Sequence, residues 1–313
     1  MEALPTVSVV IPTFNRASLL CEALDSVYAQ TFTDYEVIVV DDGSTDGTPQ
    51  MIERYNGRLR YIWQENRGAG EARNRGIAEA RGEWIAFLDS DDMWHAEKLA
   101  RCMEYAEREP ETAIVFHPMV EIDGAGNRVR GRSKRARAGR IVDDLFGHCF
   151  VHTPTVVVRR RVLEEVGGFD GSLTVCEDYQ LWLRIATRFP FHMVSEPLAF
   201  RRLHQKRLSK SAMYRNMAQR AEMLERFHDG LGGREALRPR RAVRRLARVF
   251  RAAGKANLRA KRYADAYTLF RRSLDYMPLD LRTRAYLWYT GLRRNSVMDR
   301  SSTVLKTAEE VSA

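Results

Sequence analysis

The stretch Trp84-Ile-Ala-Phe-Leu-Asp-Ser-Asp-Asp-Met-Trp94 decides how the rest of the chain is interpreted. Its first five residues form an apolar run with the length and composition of a buried strand. Asp89, Asp91 and Asp92 follow at once, and in an α/β sheet the carboxyl ends of strands face the ligand crevice. Asp89 and Asp91 share a face of an extended chain, where two close carboxylates attract a hard cation such as Mg²⁺ or Mn²⁺. An acidic helix N-terminus explains the same residues, so this stretch alone leaves a metal site and a helix cap open.

Strand and helix patterns alternate on both sides of this stretch. The alternation predicts an α/β fold with a mostly parallel sheet and helices on both faces, followed by an all-helical C-terminal region. We place the boundary between residues 1–211 and residues 212–313, after a polar, basic connector at 200–211. The strand patterns lie at residues 7–11, 35–40, 59–63, 84–88, 113–117, 155–158 and 191–194.

Composition limits the class of protein. The chain has 313 residues, of which 44% are hydrophobic, enough for a sizeable core. Its four cysteines show no CxxC spacing, which argues against a disulfide framework or a zinc site and fits a reducing compartment. The N-terminus lacks a signal-peptide pattern, and no apolar run has the length needed to span a bilayer. We therefore expect a cytoplasmic protein.

The net charge of +10 is divided unevenly. Residues 1–200 carry a net charge of −8 and residues 201–313 a net charge of +18. The basic part predicts an anionic partner, and a pattern at 239–262 combines an apolar stripe with an arginine-rich face. Such a helix can lie on an anionic membrane or pack on its own domain, and both interpretations stay open. Residues 257–278 resemble one tetratricopeptide-like hairpin, which cannot bury its apolar face alone.

Polar residues follow three of the predicted strands, in Pro12-Thr13-Phe14-Asn15, Asp41-Asp42-Gly43-Ser44 and Asp89-Ser90-Asp91-Asp92. In a parallel sheet these strand ends meet along one edge and form a binding crevice. No Walker, HExxH or GxSxG motif is present, and Gly68-Ala-Gly-Glu-Ala-Arg73 lacks the third glycine of a dinucleotide fingerprint.

These motifs, in this order, resemble those of the family 2 glycosyltransferases, inverting enzymes of the GT-A fold. The resemblance covers about residues 5–210 and implies that this part is a nucleotide-sugar-dependent GT-A catalytic domain. The matching segments are Val7–Arg16, Val37–Asp46, Asn66 with Ala72–Ile77, Gly82–Asp92, Gly167–Asp170 and Glu177–Arg184.

The resemblance implies roles for individual residues. Asp41 would accept a hydrogen bond from the nucleotide base, and its carboxylate suits the N3–H of uracil or thymine as well as the donor edge of guanine. Asp89 and Asp91 match the family's Asp-x-Asp, in which the second residue ligates a divalent cation, Mn²⁺ or Mg²⁺. His204, within an Arg-x-His pattern, is a further metal candidate. The implied nucleotide-sugar site comprises Pro12, Thr13, Asn15, Asp41, Asp42, Asn66, Arg73, Asp89 and Ser90.

The catalytic base of the family matches Asp178. Inverting transfer needs a carboxylate that takes the proton of the acceptor hydroxyl. Without the upstream motifs, Glu177 and Asp178 would suit an acidic first turn stabilised by the helix dipole. The Gln-x-x-Arg-Trp signature of processive members is missing, which favours addition of one or a few sugars.

The sequence therefore predicts a metal-dependent inverting glycosyltransferase. We expect a UDP-sugar donor, a glycan or lipid-linked acceptor of the cell envelope, no nucleic-acid partner, and peripheral contact of the basic helices with the inner membrane face. Alternatives are a nucleotidyltransferase, which needs a phosphate loop that residues 12–16 lack, and a non-catalytic nucleotide-sugar-binding or membrane-scaffold protein. Asp92 is expected to cap the next helix, and the basic stretch 121–140 is either a solvated loop or a flap facing the acceptor or the phosphates.

Overall fold

The computed structural model describes residues 4–55, 57–109, 111–129, 136–203 and 213–294. The chain forms two compact units, Met1–Arg207 and Leu208–Ala313. The described strands are β1 (Val7–Thr13), β2 (Tyr35–Asp41), β3 (Arg60–Trp63), β4 (Trp84–Phe87), β5 (Asp92–Trp94), β6 (Ile114–Phe116), β7 (Met119–Ile122), β8 (Val157–Arg159), β9 (His192–Met193) and β10 (Ala199–Arg202).

Helices of the first unit connect most of these strands. They are α1 (Ala17–Tyr28), α2 (Thr48–Ile52), α3 (Ala69–Glu79), α4 (Lys98–Arg108), α5 (Val142–Gly147), α6 (Arg160–Val166) and α7 (Glu177–Arg188), with short 3₁₀ turns at Glu53–Tyr55 and Thr153–Thr155.

The main sheet has the strand order β3-β2-β1-β4-β8-β6-β9. The first four of these strands are parallel to one another, whereas β8 runs antiparallel to both β4 and β6. Strands β1 and β4 are buried along their whole length, as expected for central strands covered by helices on both faces. The predicted mostly parallel α/β sheet is confirmed.

A second sheet of three strands, β5-β10-β7, corrects two details of the prediction. Asp92 does not cap α4: it begins β5, its carboxylate accepts a hydrogen bond from the Arg202 backbone N–H at 3.1 Å, and the residue preceding α4 is Glu97. The first residues of the predicted connector 200–211 belong to β10, which pairs antiparallel with β5 and parallel with β7. Backbone pairing thus overrides the polar character of both segments.

The second unit is helical. It contains α8 (Met213–Gly230), α9 (Gly233–Ala236), α10 (Pro239–Arg259) and α11 (Tyr263–Tyr276), and residues 281–294 are helical as well. The apolar stripe of α10, including Leu246 and Phe250, is buried where α10 packs against α8 and α11. The stripe therefore serves its own domain and is not available to a membrane. The hairpin predicted at 257–278 extends further toward the N-terminus, because its first helix is α10.

Within the described part of the chain, no helix combines the length and the apolar content needed to cross a membrane.

Candidate active site

The ends of β1, β2 and β4 lie side by side because the three strands are adjacent and parallel. Thr13 is paired with Asp41, and Val10 is paired with Phe87, two residues before Asp89. The three polar segments predicted to form a crevice therefore meet at one edge of the sheet.

The loop after β1 is fixed by Asn15, which has a φ of 52°. Its backbone N–H donates to Ser44 Oγ at 2.9 Å, and its Oδ1 accepts from the Thr45 N–H at 2.7 Å. Asn15 thus joins the loops after β1 and β2. Pro12 and Thr13 are buried, and Thr13 Oγ1 lacks a hydrogen-bond partner among the described residues. A buried hydroxyl without a partner at a strand end is open to a ligand.

Asp41 is fully buried and both of its carboxylate oxygens are engaged. Oδ1 accepts from the Ser44 N–H at 2.8 Å, and Oδ2 accepts from the Tyr61 hydroxyl at 2.5 Å. Burial and the Asp41 carboxylate together raise the pKa of Tyr61, so this hydroxyl keeps its proton at neutral pH. A nucleotide base at Asp41 would add to hydrogen bonds that already exist.

Asp42 holds the segment that leads into α3. Its Oδ1 accepts from Gln64 Nε2 at 2.8 Å and from the Arg67 N–H at 2.9 Å, and its Oδ2 accepts from the Gly68 N–H at 2.8 Å. Asn66 is exposed within the same segment. The geometry of Asp42 is that of a positioning residue for the loop, and it leaves Asn66 accessible.

The turn after β4 carries the two carboxylates of the Asp-x-Asp. It is closed by a hydrogen bond from the Asp92 N–H to the Asp89 carbonyl at 3.0 Å, and it contains the buried Ser90. Asp91 forms an ion pair with Arg16 at 3.0 Å. Burial raises the pKa of Asp89, and the nearby charge of Asp91 raises it further. The turn therefore brings two partly exposed carboxylates close together, each paired with an arginine.

Arg73 connects this turn to the opposite side of the crevice. Its Nη2 donates to Asp89 Oδ1 at 2.7 Å, and its Nη1 donates to Glu177 Oε1 at 2.9 Å. The residue is 5% exposed, and its guanidinium lies over the ring of Phe169, 5.3 Å from the ring centroid. The two carboxylates raise the pKa of Arg73 against the opposing effect of burial. A buried arginine thus bridges the Asp-x-Asp turn and the start of α7.

Asp178, next to Glu177, is the predicted base. Its Oδ2 accepts from Thr153 Oγ1 at 3.1 Å, and its Oδ1 accepts from the Tyr179 N–H at 2.6 Å. Burial raises the pKa of Asp178 to about 7, with the charge of Glu177 adding to the effect. A carboxyl group with this pKa is half ionised near neutral pH, as a general base requires.

Two local features, a left-handed residue before the helix and an asparagine side chain on α3, hold α7 in place. Cys176, the residue before the helix, adopts a left-handed conformation with a φ of 65°, an uncommon one for a residue other than glycine. The loop before it is tied to α3, because Asn74 Nδ2 donates to the Phe169 carbonyl at 2.9 Å and Asn74 Oδ1 accepts from the Phe169 N–H at 2.8 Å. Strain at such a position points to a functional constraint on the orientation of Glu177 and Asp178.

The described residues contain no group of three or more His, Cys, Asp or Glu side chains arranged to hold a metal ion. The predicted metal candidate His204 lies outside the described residues. The crevice does offer Asp89 and Asp91, which are hard oxygen donors; burial, with the charge of Asp91 adding to it, raises the pKa of Asp89 against the opposing charge of Arg73. Their chemistry fits Mn²⁺ or Mg²⁺ if a bound diphosphate and water complete the ligand set.

Sequence reasoning missed several residues of this site: Arg16, Tyr61, Thr153 and, as a partner of Arg73, Glu177. Arg16 stands within the quoted segment Val7–Arg16, so a sharper interpretation could have included it. Tyr61 and Thr153 lie outside every quoted motif, and only the folded structure brings them to Asp41 and Asp178.

The family profile described as glycosyl transferase family 2 matches residues 8–167, which include the crevice as far as Thr153. The chain belongs to glycosyl transferase family 2. The predicted resemblance is therefore confirmed, and the protein is a glycosyltransferase.

Curated relatives of this family member include proteins of polysaccharide biosynthesis. The amylovoran biosynthesis glycosyltransferase AmsB of Erwinia amylovora is 34% identical over 206 residues, covering 61% of this chain and 68% of that protein. The succinoglycan biosynthesis protein ExoO of Rhizobium meliloti is 34% identical over 193 residues, covering 58% and 56%. For other relatives, from Rickettsia, the matched part falls to 36% of their length.

Solved structures share the fold. S. aureus TarS 1–349, crystallised with UDP-GlcNAc, superposes with a TM-score of 0.67 at 21% identity, covering 92% of this chain and 88% of that chain. The mannosyltransferase PcManGT from Pyrobaculum calidifontis, in complex with GDP-Man and Mn²⁺, superposes with a TM-score of 0.55 at 23% identity, covering 93% and 87%. At these identities the likeness establishes the GT-A fold.

Proposed function

We propose that this glycosyltransferase is inverting and metal-dependent, and that it moves a sugar from a nucleoside diphosphate sugar to a hydroxyl of a cell-envelope or surface-glycan acceptor. The observation that carries the proposal is the Asp89–Arg73–Glu177 bridge, which links the Asp-x-Asp turn to the residue before Asp178. The residues proposed to act on the diphosphate and those proposed to act on the acceptor therefore lie in one crevice.

Asp178 acts as the base in this proposal. The acceptor oxygen attacks the anomeric carbon while its proton passes to the Asp178 carboxylate, and the bond from that carbon to the diphosphate oxygen breaks with its electron pair leaving on the nucleotide. Attack from the face opposite the nucleotide inverts the anomeric centre. Thr153 and the Tyr179 N–H fix the orientation of the carboxylate through the hydrogen bonds they donate to it.

A divalent cation, Mn²⁺ or Mg²⁺, would be held by Asp91 and Asp89, with His204 as a further candidate. Such a cation neutralises the negative charge that the leaving diphosphate gains. Arg73 and Arg16 also offset the negative charge of the Asp-x-Asp turn, because each pairs with one of its carboxylates. The Mn²⁺ complex of the Pyrobaculum mannosyltransferase supports this part of the proposal.

The donor is proposed to be a UDP-sugar, with Asp41 at the base and Pro12, Thr13, Asn66 and Ser90 lining the pocket. The structural neighbours support a nucleotide-sugar donor: TarS was crystallised with UDP-GlcNAc and the mannosyltransferase with GDP-Man. Thermal shift with UDP and GDP, each with Mn²⁺, discriminates the two bases. A larger shift with GDP would contradict the choice of UDP.

The acceptor is proposed to be a glycan or lipid-linked glycan of the cell envelope, with the enzyme acting in the cytoplasm as a peripheral protein of the inner membrane face. The polysaccharide-biosynthesis relatives support this acceptor class.

The Asp178→Asn variant tests the proposal. Loss of a general base lowers kcat by about 10²–10⁴-fold, whereas donor binding, measured by calorimetry with Mn²⁺, stays unchanged because Asp178 faces the acceptor. Glu164→Gln, which changes an exposed carboxylate on α6, is the matched control and keeps full activity. Unchanged transfer by the Asn variant would remove Asp178 as the base, and absent transfer by the unaltered chain with every donor tested would favour a non-catalytic binding protein.

A further inference from the structure

The last described helix, residues 281–294, and the turn before it expose a set of large apolar side chains. Leu279 is 82% exposed, Leu281 75%, Trp288 70% and Leu292 53%. Folded proteins expose single apolar residues often, but contiguous apolar patches mark interaction surfaces. These four residues are called the apolar face below.

The spacing of these residues places most of them on one side of a helix. Within the helix 281–294, positions 281, 285, 288 and 292 recur at helical spacing, and all four are exposed. They are Leu, Ala, Trp and Leu, while Thr283 and Thr290 on the other side are fully buried. A helix with one side in water normally exposes its polar residues and buries its apolar ones. Here the apolar side is exposed, and none of the described residues covers it.

Arginines lie beside the apolar face. A groove of about 730 Å³ separates α10 from residues 277–282, and its lining includes Arg244 and Arg248 from α10 together with Leu279, Leu281 and Arg282. Arg251 also lines the groove and forms an ion pair with Asp280, the single carboxylate in the lining. The described part of this unit, residues 213–294, has 21 Lys and Arg against 7 Asp and Glu. The surroundings of the apolar face are therefore strongly cationic.

We propose that the apolar face, together with Arg244, Arg248 and Arg282, docks on an anionic lipid bilayer. Leucine side chains and an interfacial tryptophan enter the boundary between headgroups and acyl chains, and guanidinium groups bind lipid phosphates. Charge complementarity selects an anionic bilayer as the occupant. The surface differs from the stripe of α10 that the sequence suggested, because that stripe is buried within the unit. The inference rests on exposed residues of the second unit and does not depend on the proposed sugar transfer.

Flotation of the full-length protein with phosphatidylcholine vesicles, with and without phosphatidylglycerol, tests the proposal. The protein is expected to float with the anionic vesicles only, and less as salt is added. The double variants Leu279→Ser/Leu281→Ser and Arg244→Glu/Arg248→Glu are each expected to lower the vesicle partition coefficient about tenfold or more. Matched controls are Leu231→Ser and Arg259→Glu, which change exposed residues of the same unit outside the groove.

Three results would overturn the proposal. The first is an unaltered chain that stays at the bottom of the gradient with anionic vesicles. The second is a dimer in solution that the two Leu→Ser changes dissociate without affecting flotation, since the face would then bind a second copy. The third is flotation only after removal of residues 295–313, which would make that segment the native occupant. Circular dichroism of each variant and turnover of a soluble donor separate misfolding and loss of catalysis from loss of docking.

Discussion

Arg73 is the residue on which the charge balance of the crevice depends. Arg73 is buried and its guanidinium donates to Asp89 and Glu177, so removal of this group leaves two carboxylates without their cation. Breaking a buried ion pair on one side costs about 3–5 kcal/mol. We expect Arg73→Met to lower the free energy of unfolding by about 3 kcal/mol in urea titrations.

The neighbouring Arg75 supplies the matched control for this prediction. Its side chain is 54% exposed and, among the described residues, pairs with Glu79 one turn along α3, so Arg75→Met should change stability by about 0.5 kcal/mol or less. Equal losses of unfolding free energy in the two variants would show that the Arg73 bridge stabilises the fold no more than a surface ion pair does.

Glu177 is expected to set the working pH of Asp178. The pKa of Asp178 is raised to about 7 by burial and by the charge of Glu177, so kcat/KM should rise with pH and reach half its maximum near pH 7. In Glu177→Gln the negative neighbour is gone and the positive charge of Arg73 acts more strongly on Asp178, and both changes lower the pKa. The acid limb of the pH profile should therefore move to lower pH. An unchanged limb, or a shift to higher pH, would argue against Asp178 as the titrating base.

At the residue scale the sequence indicated which side chains gather, and the folded chain adds what each one contacts. Asp89, Asp91 and Asp178 stand at ends of predicted elements, where a parallel sheet collects ligand-binding groups. Asn15 and Asp42 were also assigned to the nucleotide, yet their observed hydrogen bonds run to neighbouring loops, mostly to backbone N–H groups and also to the side chains of Ser44 and Gln64. A polar side chain after a strand can bind a ligand or hold a loop, and local sequence does not distinguish the two.

The packing of α3 on β1 depends on Gly76. A Cβ added there would stand 2.3 Å from Val10 Cγ1, and the surrounding strand is fully buried. Overpacking of a core contact costs about 1–3 kcal/mol, so Gly76→Ala should lower thermal stability and the activity of the crevice, since α3 carries Arg73. Gly147→Ala in α5 meets no atom within 4 Å and is the control. A Gly76→Ala protein as stable as the unaltered one would show that α3 can shift without cost.

At the element scale, strands with continuous apolar runs were predictable and short strands with polar residues were not. The pattern at 7–11 found β1 because both faces of that strand are buried. Strand β5 contains Asp92 and β10 contains two arginines, so neither segment shows the alternation of apolar and polar residues that is typical of a strand. The two strands form because they pair with each other, although they lie about 110 residues apart in the sequence. Tertiary pairing of this kind cannot be read from a local window.

The stability of the first unit should depend on pH through Lys98, which is fully buried over the ring of Trp94. Burial lowers the pKa of Lys98 from 10.5 to about 7, so between pH 7 and 9 the unfolded chain binds more protons than the folded one. The free energy of unfolding should therefore rise with pH across this window. Lys98→Met should remove that rise and increase stability at pH 7, which urea titrations at several pH values can measure. A rise of the same size in the variant would assign it to other groups.

At the scale of the whole molecule, the sequence indicated the division of charge but not the surface that carries it. The arginine-rich pattern at 239–262 suggested an amphipathic helix free to meet a membrane. In the folded unit its apolar stripe is the core, and the exposed apolar residues lie beyond α11 instead. An amphipathic pattern indicates that a helix has an apolar side, but only the packing of neighbouring helices determines whether that side is covered.

The bridge made by Arg73 has a consequence for synthesis of the chain on the ribosome. Its two partners lie 16 and 104 residues further along the sequence. A nascent chain that has emerged as far as β5 contains the Asp-x-Asp turn, but it lacks Glu177, Asp178 and the loop that orients them. The crevice therefore cannot reach its neutralised, ordered form until α7 has left the exit tunnel, because Arg73 has only one of its two carboxylate partners before then.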